Sequence, residues 1–207
     1  MDPERFEREL SLWLKEQGCL YAPRRRKAEK ANRSGRLLVT LDGPCASGKT
    51  TLAAKMARDF QGQVIHTDDF VIPHALKTPE RLAVPGGNCD AERLSREVTA
   101  PFRRGEPVLY QRYDCGADRL LPLERLPDTS LLILEGSYCN LPVLRACADV
   151  PLFLLVPWSI REARLLERES PASMERFYHR WIPLENAYFE AFRLPDAGCG
   201  LIRPHST

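Results

Sequence analysis

The stretch from Leu37 to Leu52, LLVTLDGPCASGKTTL, constrains the fold of this chain more than any other. A short apolar, β-prone run over Leu37 to Leu41 leads into Gly43-Pro44-Cys45-Ala46-Ser47-Gly48-Lys49-Thr50, which has the G-x-x-x-x-G-K-S/T spacing of a phosphate-binding loop. Each fixed position has a physical task. Gly43 and Gly48 allow the tight bends that turn successive N–H groups inward toward phosphate oxygens. The helix expected from Thr51 to Phe60, with Leu52, Met56 and Phe60 on one face, adds the positive end of its dipole to the same point. Lys49 can reach β- and γ-phosphates, and the Thr50 hydroxyl can ligate Mg²⁺. A phosphate loop between a strand and a helix predicts a site for a nucleoside triphosphate, formed by residues 43 to 51 with Thr51 at its end.

The bulk of the chain is ordinary for a water-soluble domain. Its 207 residues suffice for one core, and 43% hydrophobic with 28% charged residues is a globular composition. A net charge of +2 gives no reason to expect nucleic acid as the main partner. The absence of an apolar run of about 20 residues, and of a signal-peptide profile, predicts no membrane association and a cytoplasmic location. Seven cysteines, none in a C-x-x-C pair, and four histidines without zinc-like spacing read as reduced thiols and ordinary side chains. Cys45 lies within the loop, so its modification is expected to obstruct nucleotide binding.

Residues 3 to 17 read as an amphipathic helix carrying Phe6, Leu10, Trp13 and Leu14, and the basic run from Pro23 to Arg36 as a solvated connector, with nucleic-acid association as the alternative. The division expected is 1–36 for this helix and connector, and 37–207 for the main domain. From Leu37 onward strand and helix patterns alternate, which predicts an α/β three-layer sandwich: a central parallel sheet with helices on both faces. The expected strands are Leu37–Leu41, Val64–Thr67, Leu131–Leu134, Leu152–Val156 and a short one around Leu201 and Ile202. Helices are expected over Asp90–Ala100, Leu141–Cys147, Ile160–Arg168 and Met174–Phe192, the last broken or kinked at Pro183. Pro107 to Leu123 reads as a strand pair over the site.

The remaining candidates fall at the carboxyl ends of expected strands, where ligands sit in such sheets. Asp68 and Asp69 close the second strand, near where an acceptor hydroxyl would approach a γ-phosphate, and either can take its proton. Glu135 closes the apolar LLILE run and is placed to organise a metal together with Thr50. Arg161, Arg164 and Arg168 share a helix face, suited either to neutralising a triphosphate or to surface ion pairs with the interleaved glutamates. Asp90 is a substrate ligand or a helix cap; Tyr113 and Asp114 contact a base and ribose, or serve as core and turn residues. The aromatic group from Phe177 to Phe192 reads as core packing.

With these residues in place, the chain resembles the uridine kinase-like branch of P-loop kinases, which includes uridine–cytidine and nicotinamide riboside kinases. The resemblance runs from about Leu37 to Phe192 and rests on GPCASGKTTLA, HTDDFVIP and the Glu135-Gly136 strand end. It implies that Asp68 is the catalytic aspartate, that Asp90, Tyr113 and Asp114 bind ribose and base, and that Glu135 lies near magnesium. RLLER, with Arg164 and Arg168, looks like a shortened lid. The expectation is an ATP- and Mg²⁺-dependent kinase for a small nucleoside-like acceptor, with Lys49, Asp68, Arg164 and Arg168 catalytic and self-association left open. Another small alcohol, such as pantothenate or a sugar, is an alternative acceptor. A non-catalytic nucleotide-binding regulator is the alternative class, although the N-K-x-D guanine signature is absent.

Overall fold

In the computed structural model, residues 2–23, 35–196 and 198–204 are described. Most of the expected basic connector, residues 24–34, lies outside them. Among the described residues the strands are β1 (Cys19–Ala22), β2 (Leu37–Asp42), β3 (Gln63–His66), β4 (Leu109–Tyr110), β5 (Tyr113–Asp114), β6 (Arg119–Leu120), β7 (Glu124–Arg125), β8 (Leu131–Glu135), β9 (Val150–Leu154) and β10 (Gly200–Pro204).

Six of them form one sheet in the order β1-β10-β9-β2-β8-β3. β10, β9, β2, β8 and β3 run parallel, and β1 is added antiparallel at one edge. β2 and β8 are buried at every position, as parallel strands covered on both faces must be. Alternate side chains feed two cores. Leu37, Val39 and Leu41 face helix α1 (Pro3–Glu16) and helix α2 (Lys49–Asp59), while Leu38, Leu132 and Leu134 face the helical segment 91–104 and Tyr188.

The N-terminal segment is integral to this core. Phe6, Leu10 and Leu14 of α1 are fully buried, Trp13 is partly so, and the Phe60 ring packs edge-on against Phe6 and Trp13. β1, which the sequence pattern did not indicate, continues the sheet beyond β10. β9 begins at Val150, two residues before the expected Leu152, because Pro151 sits within the strand opposite Thr40. The expected strand pair between residues 107 and 123 is a longer nested hairpin, β4 with β7 and β5 with β6.

Pro183 does not break its helix. Residues 171–191 continue through a π-helical turn at Phe177–Trp181, and the 91–104 segment passes Pro101 through a π turn at Ser95–Thr99. A helical proline clashes with the carbonyl four residues earlier, which is His179 for Pro183 and Glu97 for Pro101. Each of these is the middle residue of its π turn, where the wider ring of backbone accommodates the proline.

Candidate active site

The phosphate loop leaves β2 at Asp42, whose carboxylate is wholly buried. Its Oδ1 accepts the Gly43 N–H at 2.7 Å, and its Oδ2 accepts the Asn140 N–H at 2.9 Å and the Tyr188 hydroxyl at 2.7 Å. Burial pushes the Asp42 carboxyl up to about 6, against the lowering effect of these donors and of Lys49. Gly43 is required sterically. At φ +148° an added Cβ would lie 2.4 Å from the Leu154 carbonyl oxygen, where β9 crosses the loop. The loop then turns through Ala46 (φ 56°) and Gly48 (φ 95°) into α2.

Lys49 is buried and donates to the Pro44 carbonyl at 3.0 Å, an internal stand-in for a phosphate oxygen. The buried Ser47 Oγ has no partner among the described residues. Arg164 Nη1 donates to the carbonyls of Ala46 and Ser47, each at 3.0 Å, and Arg161 Nη1 donates to the Cys45 carbonyl at 3.3 Å. The Trp158–Arg168 helix thus braces the back of the loop, and Arg161 takes part as well as Arg164. Arg168 pairs with Glu169 at 2.8 Å. Burial and the nearby Glu185 push the Cys45 thiol up to about 12, so it is protonated at neutral pH and a poor target for alkylation.

Glu135, at the end of β8, stands opposite Leu41 on one side and His66 on the other. Thr50 Oγ1 donates to Glu135 Oε1 at 3.2 Å, and His66 Nδ1 contacts the same oxygen. That contact raises the His66 pKa. Glu135 Oε2 is buried and lacks a partner among the described residues. A hydroxyl beside a carboxylate with an unused oxygen fits Mg²⁺, which takes one or two protein ligands and completes its shell with water and phosphate. Among the described residues no group of three or more His, Cys, Asp or Glu could hold a metal unaided. Gly136 follows at φ +127°, where a Cβ would come within 2.0 Å of Thr67 Oγ1. β8 and the turn after β3 are therefore in direct contact.

Two cavities meet at the loop. One, of about 600 Å³, lies over Ser47 to Leu52 and is also lined by Gln17, Cys19, Lys55, Arg164 and Arg168. The other, of about 830 Å³, lies beyond the strand ends and includes Asp68, Asn88, Glu135, Ser137, Trp181 and Glu185. Ala46, Lys49, Thr50 and Arg168 line both. Asp68 opens into the second cavity, while Asp69 is not among its lining residues. The low-dielectric walls raise the Asp68 carboxyl; Lys49 opposes this, and Glu135 and Glu185 add to it.

The three remaining sequence candidates are engaged elsewhere. Asp90 caps the helix that follows it, accepting the Arg93 N–H at 3.1 Å, and its other oxygen lies 3.4 Å from Arg93 Nε. Asp114 accepts the N–H groups of Gly116 and Ala117 in a turn, and the Tyr113 hydroxyl is bonded to Asp118. None of these three lines the cavity; their neighbours Asn88 and Cys115 do. Asn88 is buried, and its Oδ1 has no partner among the described residues. Sequence reasoning did not single out Asn88 and Glu185 as residues of this cavity. The unusual GGNCD run was the available signal for Asn88, whereas Glu185 sat in a stretch read as aromatic packing.

No protein-family model matches the chain, and no curated protein matches it either. Solved structures do. A candidate fructose transport system kinase from Silicibacter sp. is 27% identical, with a TM-score of 0.61 over 79% of this chain and 88% of that one. A possible uridine kinase from Bacillus stearothermophilus is 20% identical, with a TM-score of 0.62 over 93% of this chain and 97% of that one. The chain has the α/β P-loop fold of the uridine kinase-like kinases.

Proposed function

We propose that this uridine kinase-like P-loop protein is an ATP-dependent kinase that transfers the γ-phosphoryl group to a hydroxyl of a small nucleoside-type acceptor. The observation that carries the reading is the placement of Asp68. It faces a cavity that shares Lys49 and Thr50 with the nucleotide side, so a hydroxyl held there can meet a phosphate held by the loop. A regulatory nucleotide-binding protein has no need of a second cavity with a carboxylate opening into it.

In this reading Lys49 and the backbone N–H groups between Cys45 and Thr51 hold the triphosphate, and residues 37–207 carry the kinase site, with α1 and β1 completing its core. Thr50 and Glu135 would hold Mg²⁺, which neutralises charge on the transferred group. Asp68 orients the acceptor hydroxyl and takes its proton; burial raises its carboxyl pKa, which makes the carboxylate a stronger base. Arg164 and Arg168 supply positive charge from the helix between the cavities, Arg164 also by shaping the loop. Asn88 offers its unused carbonyl to the acceptor, in the role that the sequence pattern suggested for Asp90.

A sugar or other small alcohol is the second reading of the acceptor, supported by the likeness to the candidate fructose transport system kinase. The test is ADP release from ATP and Mg²⁺ across uridine, cytidine, nicotinamide riboside, pantothenate and sugars. Turnover that depends on one nucleoside supports the reading. Dependence on a sugar alone moves the assignment to the second reading, and tight ATP binding without acceptor-dependent turnover favours a regulator.

A further inference from the structure

Glu185 is the least expected charge in the molecule. It lies in the first turn of the Ile182–Ala191 helix and is only 6% exposed. Its Oε2 accepts the backbone N–H of Cys45 at 2.9 Å, and its Oε1 accepts the Ser137 hydroxyl at 2.5 Å. No cation lies within salt-bridge distance of it among the described residues. A buried carboxylate held by neutral donors alone carries a large desolvation cost. It also shares its cavity with Asp68 and Glu135, with Lys49 as the buried cation nearby.

Its main donor explains the placement. The Cys45 amide belongs to the loop whose N–H groups turn inward to bind anions. With no phosphate present, an inward-facing amide near the cavity needs an acceptor, and Glu185 supplies one from within the chain. Lys49 behaves in the same way toward the Pro44 carbonyl. Triphosphate entering the loop would bring several negative charges toward a carboxylate already seated on one of its amides.

We propose that Glu185 is an internal anion that occupies the phosphate loop until nucleotide displaces it, a positioning residue that couples nucleotide loading to the wall of the acceptor cavity. This rests on the nucleotide-binding reading above. The coupling follows from where Glu185 is attached. Phe177, Arg180 and Trp181, on the same continuous helix, line the acceptor cavity. Releasing the Glu185 contacts loosens the part of the helix that carries Phe177, Arg180 and Trp181 while Tyr188 still anchors its far side to Asp42, so the acceptor cavity takes its working shape after nucleotide has bound. Nucleotide therefore binds first.

The test is calorimetric titration of Mg²⁺-ATP, without acceptor, into the full chain and its Glu185→Gln and Ser137→Ala variants. Glutamine keeps an acceptor for the Cys45 amide and removes the charge. Glu185→Gln should bind ATP on the order of tenfold tighter, the scale of relieving one like-charge contact near a protein surface. Ser137→Ala, which loosens the carboxylate, should shift affinity the same way by less. A merely structural role predicts the reverse, since a damaged site binds more weakly. Unchanged or weaker binding by Glu185→Gln, at a melting temperature matching wild type, overturns the proposal. Should that variant melt early, Ser137→Ala decides by the same sign. The second readout is Trp181 emission in a Trp13→Phe, Trp158→Phe background: a change on ATP addition supports coupling to the helix, and no change overturns it. Failure of wild type and all variants to bind ATP overturns the nucleotide reading itself.

Discussion

The Tyr188 hydroxyl donates to Asp42 Oδ2 at 2.7 Å, joining the C-terminal helix to the last residue of the strand that launches the phosphate loop. Both side chains are fully buried. Tyr188 thus holds the base of the loop, three residues along the helix from Glu185, which touches the loop itself. Tyr188→Phe leaves Asp42 Oδ2 with the Asn140 amide as its remaining donor. The expected cost is about 1–3 kcal/mol of stability, the usual penalty for an under-satisfied buried polar group, read by urea denaturation.

Glu135→Gln should raise the Mg²⁺ concentration needed for half-maximal ADP release by roughly tenfold, the effect expected when one protein ligand of a weakly held cation is lost. ATP binding measured without Mg²⁺ should change little. Equal Mg²⁺ dependence in variant and wild type would remove Glu135 from the metal site.

His66 gives the site a pH dependence. Its folded pKa is raised, first by the hydrogen bond to Glu135. A group whose pKa rises on folding contributes stability that is fully present below its unfolded value, about 6.5, and lost as pH climbs through the higher folded value. His66→Gln should therefore lower the melting temperature more at pH 6 than at pH 9. Charged His66 also competes with Mg²⁺ for Glu135, so the Mg²⁺ requirement of the wild type should fall as pH rises over the same window. A requirement that is flat with pH would show that His66 does not restrain Glu135.

Asn88 and Asp90 should behave differently. Asp90→Ala removes a helix cap and an Arg93 contact, so the expected loss is stability, about 1 kcal/mol for the cap, with acceptor KM nearly unchanged. Asn88→Ala should raise acceptor KM while the melting temperature stays close to wild type. The opposite pattern in steady-state kinetics would return the acceptor role to Asp90.

The sheet and the phosphate end of the site were legible in the sequence because their signals are local. Buried parallel strands read as unbroken apolar runs, and the spacing from Gly43 to Thr50 encodes a backbone shape. β1 gave no such signal: a four-residue edge strand with alternating burial has too few positions to establish a period. Pro183 was read by its local rule as a break or a kink, and the π turn that admits it depends on the whole 171–191 helix. Asp90 satisfied two local patterns at once, cap and ligand; the folded chain uses it as a cap, and the kinetic comparison with Asn88 tests the other. Glu185 meets Cys45 across 140 residues of chain, a contact that no spacing rule can reach.

The most direct test of the account is acceptor-dependent ADP release by wild type and Asp68→Asn, with the ATP dissociation constant measured on both. The account predicts that the variant binds ATP as wild type does and loses turnover by about 10²-fold or more, the usual scale for a missing general base. Turnover equal to wild type with the same acceptor would contradict it, since the Asp68 carboxylate in the acceptor cavity would then have no part in the transfer.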